Sequence, residues 1–205
     1  MSNQDKIILD LCGGTGAWSR PYKEAGYDVR LITLPENDVR KYQPPANVYG
    51  ILAAPPCTMF SVARTRAKTP RDLREGMEIA EACLHIIWNA QLDYKKEYGY
   101  KTSLKFWALE NPCGFLRYFL GHPAFEFQPY EFGDEYSKKT QIWGWFNRPQ
   151  VLPLFAVEKK TDLFHNGLLA DIKKYKSINM ISSTRQDLRA ITPPGFAQAF
   201  YEANK

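Results

Sequence analysis

The chain has no apolar run long enough to cross a bilayer. Its longest apolar stretches, around residues 7–9 and 49–56, fall far short of the roughly 20 residues that a spanning helix needs. Its opening residues, Met-Ser-Asn-Gln-Asp-Lys, lack the basic and then apolar regions of a secretion signal. Metal-type cysteine spacing is also missing. The four cysteines stand at 12, 57, 83 and 113, and the three histidines at 85, 122 and 165 do not cluster with them. No zinc site or other metal site is expected from such spacing, and without a signal no disulfide framework. Charge of one sign is scarce: 27 Lys+Arg against 22 Asp+Glu leave +5, which permits a nucleic-acid partner without demanding one. What remains is ordinary: 205 residues, 44% hydrophobic and 24% charged, enough for one domain with a sizeable core. The expectation is a soluble cytoplasmic protein with no membrane partner.

Residues 6–11 form a short apolar run ending in Asp and a glycine-rich turn, which reads as a buried strand. Residues 17–25 read as a helix, 27–33 and 48–53 as further strands, and 59–74 as a basic loop. A long helix is expected over 75–94, because positions 79, 80, 83, 84, 87 and 88 recur at helical spacing. A strand over 106–109, a short helix near 115–120, a closing antiparallel pair at 126–131 and 140–146, and a helix over 194–204 complete the reading. Alternating strands and helices predict an α/β sheet with helices on both faces. In such sheets ligands bind beyond the carboxyl ends of the strands.

Three chemically loaded stretches fall at those ends. Asp10 to Gly16 holds three glycines that allow a tight turn and close approach of a ligand; a plain turn is the plainer reading. Pro55-Pro56-Cys57 places a stiffly held thiol before Arg64, Arg66, Lys68, Arg71 and Arg74, which favour thiolate; alone, a buried cysteine is the simpler account. Glu110-Asn111-Pro112 ends an apolar strand with a carboxylate suited to holding a proton, or merely to a helix N-terminus. Cys83 and His85 on the long helix, Cys113, and the alternating Trp143 and Trp145 read as structural, the tryptophans as core.

In this order, Asp-Leu-x-x-Gly-x-Gly, Pro-Pro-Cys-x-x-Phe-Ser and Glu-Asn-Pro, the chain resembles the DNA cytosine-5 methyltransferases. The resemblance spans about residues 6–148 and 189–204. It implies a Rossmann-like S-adenosylmethionine-dependent methyltransferase sheet, mostly parallel with a closing antiparallel hairpin. It implies a cofactor site at Asp10, Leu11, Cys12, Gly14, Thr15, Gly16 and Trp18, with Thr33, Asp38, Val39 and Pro55. It further implies that Cys57 attacks cytosine C6, that Glu110 protonates N3, that Asn111 and Pro56 position the loop and the base, and that Lys139 stands for an arginine of the eighth motif. S-adenosylmethionine would leave as S-adenosylhomocysteine. A target base in duplex DNA would be flipped out, and Ser61, Arg64, Arg66 and Lys68 would grip the strand around it.

The chain departs from the family in Cys12, where most members have Phe, in the missing acid after the second strand, and above all in length. The expected division is 1–148 catalytic, 149–188 a reduced DNA-facing segment, and 189–205 a returning helix. Seven basic and four acidic residues lie between Glu158 and Arg189, which reads as a minimal DNA-facing lobe or a solvated surface. Such compactness resembles phage-encoded members acting in a bacterial or infected host cell, with a protein partner as one source of target choice. Alternatives are the same chemistry on single-stranded DNA, RNA or a free cytosine nucleotide, and a catalytically weak DNA-binding module.

Overall fold

The structure, a computed structural model, describes residues 2–65, 67–98, 104–134, 136–153, 161–162 and 191–205. In chain order it comprises β1 (Ile7–Leu11), α1 (Arg20–Glu24), β2 (Asp28–Ile32), β3 (Val48–Ala53), α2 (Leu73–Tyr98), β4 (Phe106–Pro112), α3 (Arg117–Leu120), β5 (Phe125–Phe127), β6 (Tyr136–Ser137), β7 (Thr140–Trp145), β8 (Thr161–Asp162) and α4 (Pro194–Asn204). Six strands form one mixed sheet in the order β2-β1-β3-β4-β7-β5. Strands β1 to β4 pair in parallel, and β7 runs antiparallel to both β4 and β5. The protein is thus an α/β fold. None of its described helices is long and apolar enough to cross a membrane.

Alternation along the central strands divides the core. Leu9, Leu11, Ile51, Ala53 and Leu109 face α2, where Ala80, Cys83, Ile86 and Ile87 meet them. Ile8, Leu52, Phe106 and Ala108 face the opposite way, toward Trp18, Tyr22, Phe196 and Phe200. That second layer is built from aromatic rings. Phe196 of α4 stacks on Phe127 with centroids 3.9 Å apart, and Trp18 meets Phe200 edge-on at 5.4 Å. Large rings fill such a layer with few residues, each adding about 0.5–1.5 kcal/mol per pair beyond its burial.

Several boundaries differ from expectation, for local reasons. The helix expected from residue 17 starts at Arg20, because Pro21 fits only a first turn. The strand expected to run to 131 stops at Phe127. Pro129 has no N–H for the ladder, and the chain turns through a 3-10 helix at Pro129–Phe132. Asp72 starts α2 by accepting the Glu75 N–H at 2.9 Å. Trp88 is not core: it lies roughly 140° round the helix from Cys83 and is 64% exposed. His85 is exposed too. Trp143 is buried and donates to the Gly121 carbonyl. Trp145 sits at the end of the ladder opposite Trp107 and is exposed, against the core reading. Most of the expected 149–188 segment lies outside the described residues.

Candidate active site

Strand β2 lies on one side of β1, with β3 and β4 on the other. The chain therefore reverses its direction of progress at β1, so the switch point at which such sheets take their ligands falls at the carboxyl ends of β1 and β3. Cys12 donates to the Ile32 carbonyl at 2.8 Å, and Ala54 donates to the Leu11 carbonyl at 2.9 Å, so three strand ends are tied at this rim. The turn that follows β1 bends back on itself. Cys12, Gly14 and Gly16 all have positive φ, at 56°, 55° and 69°. For Cys12 this conformation costs roughly 1–2 kcal/mol. Gly13 has another reason to be glycine: a Cβ there would collide with the Asp10 carboxylate.

Asp10 is fully buried beneath that turn. Its Oδ2 accepts the Ser19 hydroxyl at 2.5 Å, while its Oδ1 has no hydrogen-bond partner among the described residues. Burial lifts its pKa to about 6, against the partly opposing effect of Ser19. Thr15 and Gly14 are exposed above it. Trp18 is not available to a ligand, because its ring is packed between Phe196 and Phe200. That corrects the reading of Trp18 as a cofactor contact. Thr33 is half-buried just after β2. Val39 is in the core on the α2 side, and the Asp38 carboxylate is engaged by Arg40 at 2.6 Å, which holds its pKa down to about 2.

Cys57 sits just past β3. Its carbonyl accepts the N–H groups of Phe60 and Ser61 at 3.0 and 2.8 Å, closing a tight turn. Three anchors hold this turn. The buried Asn111 side chain donates to the Pro55 carbonyl at 2.9 Å. Phe115 donates to the Phe60 carbonyl at 2.9 Å, beside a bridge between Ser61 and Gly114. Arg71 donates to the carbonyls of Met59 and Ser61 at 2.9 and 2.8 Å. Arg71 therefore belongs to the loop's internal support, and the basic loop loses one of its expected surface cations. Pro55 is buried and Pro56 exposed. Ser61 accepts the Ala63 N–H, Arg64 donates to Thr69, and Lys68 is exposed. Arg66 lies outside the described residues.

The Asn111 bond yields a prediction independent of any assigned chemistry. Asn111→Ala leaves a buried carbonyl unpaired, which costs about 1–3 kcal/mol. Cys57 is expected to alkylate faster with iodoacetamide in this variant. An unchanged alkylation rate would mean that the bond does not hold the loop.

Glu110 is buried on β4, and its Oε1 lies 3.7 Å from the ammonium of Lys138, which is buried as well. The resemblance puts the eighth motif's second arginine position at Lys139, not Lys138. The structure instead turns Lys139 outward to Glu126 at 2.9 Å, where the pair holds the Lys139 pKa up and the Glu126 pKa down, the latter chiefly through Gln141. Successive residues entering a strand face opposite ways. A one-residue offset between motif and strand thus exchanges a buried cation for an exposed one.

The rim therefore brings together a thiol, a buried carboxylate with a cation beside it, and a glycine turn over a buried acid. Such a set can add a nucleophile to an electrophilic carbon while a proton is managed nearby. No family model matches this chain, and no curated protein matches it.

Proposed function

We propose that this protein transfers a methyl group from S-adenosylmethionine to C5 of cytosine in DNA, through a covalent bond between Cys57 and C6. The observation that carries this reading is the shared rim: the Cys57 turn after β3 is held by Asn111 of β4, one residue beyond Glu110, next to the glycine turn of β1. The mostly parallel sheet with its reversed β7 supports the finer description as a Rossmann-like methyltransferase sheet.

The β1 turn fits the cofactor. Asp10 has one buried carboxylate oxygen beneath it with no hydrogen-bond partner among the described residues, and Gly14 and Thr15 are exposed at its tip. Cys12, Gly14, Thr15 and Gly16 would hold the group, with Thr33 and Pro55 flanking it; the Leu11 side chain is fully buried against α2, so only its backbone borders the turn. When bound, S-adenosylmethionine supplies an electrophilic methyl group. The protein's own part is to make cytosine C5 nucleophilic. The Cys57 thiolate forms a bond to C6, and Glu110 gives a proton to N3, leaving the ring enamine-like at C5. Lys138 stabilises the carboxylate that this transfer leaves on Glu110. After C5 is methylated, the C5 proton passes to solvent water acting as base, the Cys57 thiolate departs from C6, and N3 returns its proton to Glu110, which restores the neutral aromatic base.

DNA carrying 5-fluorocytosine tests the reading, because fluorine at C5 blocks the proton loss that releases Cys57. With S-adenosylmethionine present, a complex stable to denaturant is expected. Its absence on single-stranded and duplex DNA alike would refute the proposal. A second test concerns the two lysines. Lys138→Met is expected to slow methyl transfer by about 10²-fold, the scale of general acid–base assistance. Lys138→Arg, which keeps the charge, should recover much of the rate, and Lys139→Met should leave it near wild type. Equal effects at 138 and 139 would place the cation elsewhere.

A further inference from the structure

Beside the Cys57 turn lies a group of exposed apolar side chains that the rim chemistry does not use. Tyr118 is 78% exposed, Phe119 48% and Val62 56%. They are rigidly connected to the turn. The Phe119 ring meets the buried Phe60 ring edge-on at 6.2 Å, and the Tyr118 ring lies 6.2 Å from Phe115. Phe115 in turn bonds the Phe60 carbonyl and lies under the Arg71 guanidinium at 4.9 Å. A Cβ on Gly114 would collide with the Phe60 carbonyl, so α3 and the Cys57 turn approach as closely as backbones allow. Positive charge lies close to the group in sequence: Arg64 and Lys68 follow the turn, and Arg117, which begins α3, immediately precedes Tyr118.

We infer, on the footing of the methyltransferase reading, that Tyr118 and Phe119 form a stacking platform for an unpaired base next to the target cytosine, and that the preferred substrate is single-stranded DNA. Exposed aromatic faces interleaved with cations suit a strand whose bases are unstacked and whose phosphates are tracked by charge. In an intact duplex the base faces are occupied by their neighbours. A single strand also presents its cytosine without the cost of extrusion. The substrate class then agrees with a chain that has only about 40 residues between β7 and residue 189 for reading a groove.

The test uses the full chain and a fluorescein-labelled cytosine-containing oligonucleotide, offered single-stranded or as its duplex, without cofactor, with binding read by anisotropy. Wild type is expected to bind the single strand more tightly. Tyr118→Ala should weaken that binding about 5- to 100-fold, and Tyr118→Trp should restore it to within about twofold, since any large aromatic face stacks. Tyr118 is largely solvent-exposed, so its replacement spares the core. Single-strand binding unchanged in Tyr118→Ala overturns the proposal, as does a wild-type preference for the duplex. So does a Tyr118-dependent self-association in sedimentation with strand binding unaffected, which would make the patch a contact between copies. The 5-fluorocytosine complex depends on Cys57 and not on stacking. Its failure therefore counts against the chemistry, and failure of the binding series counts only against the platform.

Discussion

Cys57→Ala is expected to abolish the 5-fluorocytosine complex and to lower methyl transfer by roughly 10⁴-fold or more, as removal of a nucleophile commonly does. Four free thiols are present, and their positions separate them. Cys83 is fully buried on α2, and its thiol pKa is pushed well up by Cys12 and by burial. The Cys12 sulfur faces that of Cys83, 3.9 Å away on the α2 side of the sheet. Cys113 is the credible rival. It follows Glu110 by three residues and is half-buried, with its N–H donated to the Lys139 carbonyl at 2.9 Å. Only Cys57 sits in a turn anchored to both β4 and the loop after it. Cys113→Ala should therefore keep the complex and most of the rate. A complex that survives Cys57→Ala and disappears in Cys113→Ala would reassign the nucleophile. Mass spectrometry of the trapped peptide reads the answer directly.

The second large effect concerns Asp10 and pH. An unfolded chain ionises this carboxyl near 3.8, whereas the folded chain holds its proton up to about 6 because of burial. Between those values the native state binds the extra proton, so stability falls as pH rises through the window and is level above it. Two pH units correspond to about 3 kcal/mol at most. Asp10→Asn removes this dependence. Its amide brings an unpaired N–H of its own, a fixed offset that does not vary with pH. The informative quantity is therefore the change in the gap between variant and wild type. Urea denaturation from pH 4 to pH 8 is expected to show the variant gaining on wild type by up to about 3 kcal/mol, while its methyl transfer falls. A gap independent of pH would mean that Asp10 ionises in the folded protein as readily as in the unfolded chain.

The rim is legible in the sequence because three apolar runs end in residues that no strand interior tolerates well. Asp10 before three glycines, Pro55-Pro56 before Cys57, and Glu110-Asn111-Pro112 each mark a strand end by local chemistry alone. Periodicity says less about which way a side chain points at the start of an element. Lys138 and Lys139 are equivalent in composition, and only the register of β7 against β4 and β5 distinguishes them. Trp18 follows a glycine turn and so resembles a ligand contact. Its ring is drawn inward because α4, nearly 180 residues later in the chain, supplies Phe196 and Phe200 to receive it. Arg71 reads as surface charge until the carbonyls of Met59 and Ser61 are seen to converge on it. Each of these outcomes is decided by a partner at least ten residues away, which a local pattern does not carry.

The end of α4 is stitched to the end of β7 by a reciprocal pair of asparagines. The Asn147 N–H donates to Asn204 Oδ1 at 2.8 Å, Asn204 Nδ2 donates back to the Asn147 carbonyl at 2.9 Å, and Asn147 Nδ2 reaches the Ala203 carbonyl at 2.9 Å. The other end of α4 is held by Asp134, which accepts the Gly195 N–H at 3.1 Å. Both ends of α4 are therefore fixed to the body of the sheet by contacts that do not involve the stretch of chain between residues 148 and 191. Closing a longer loop across such a clasp costs only about 0.6 kcal/mol for each doubling of its length. This makes the site between residues 148 and 191 a socket: segments of very different size can be exchanged there, by evolution or by an engineer, while the chemistry on the opposite rim keeps its geometry.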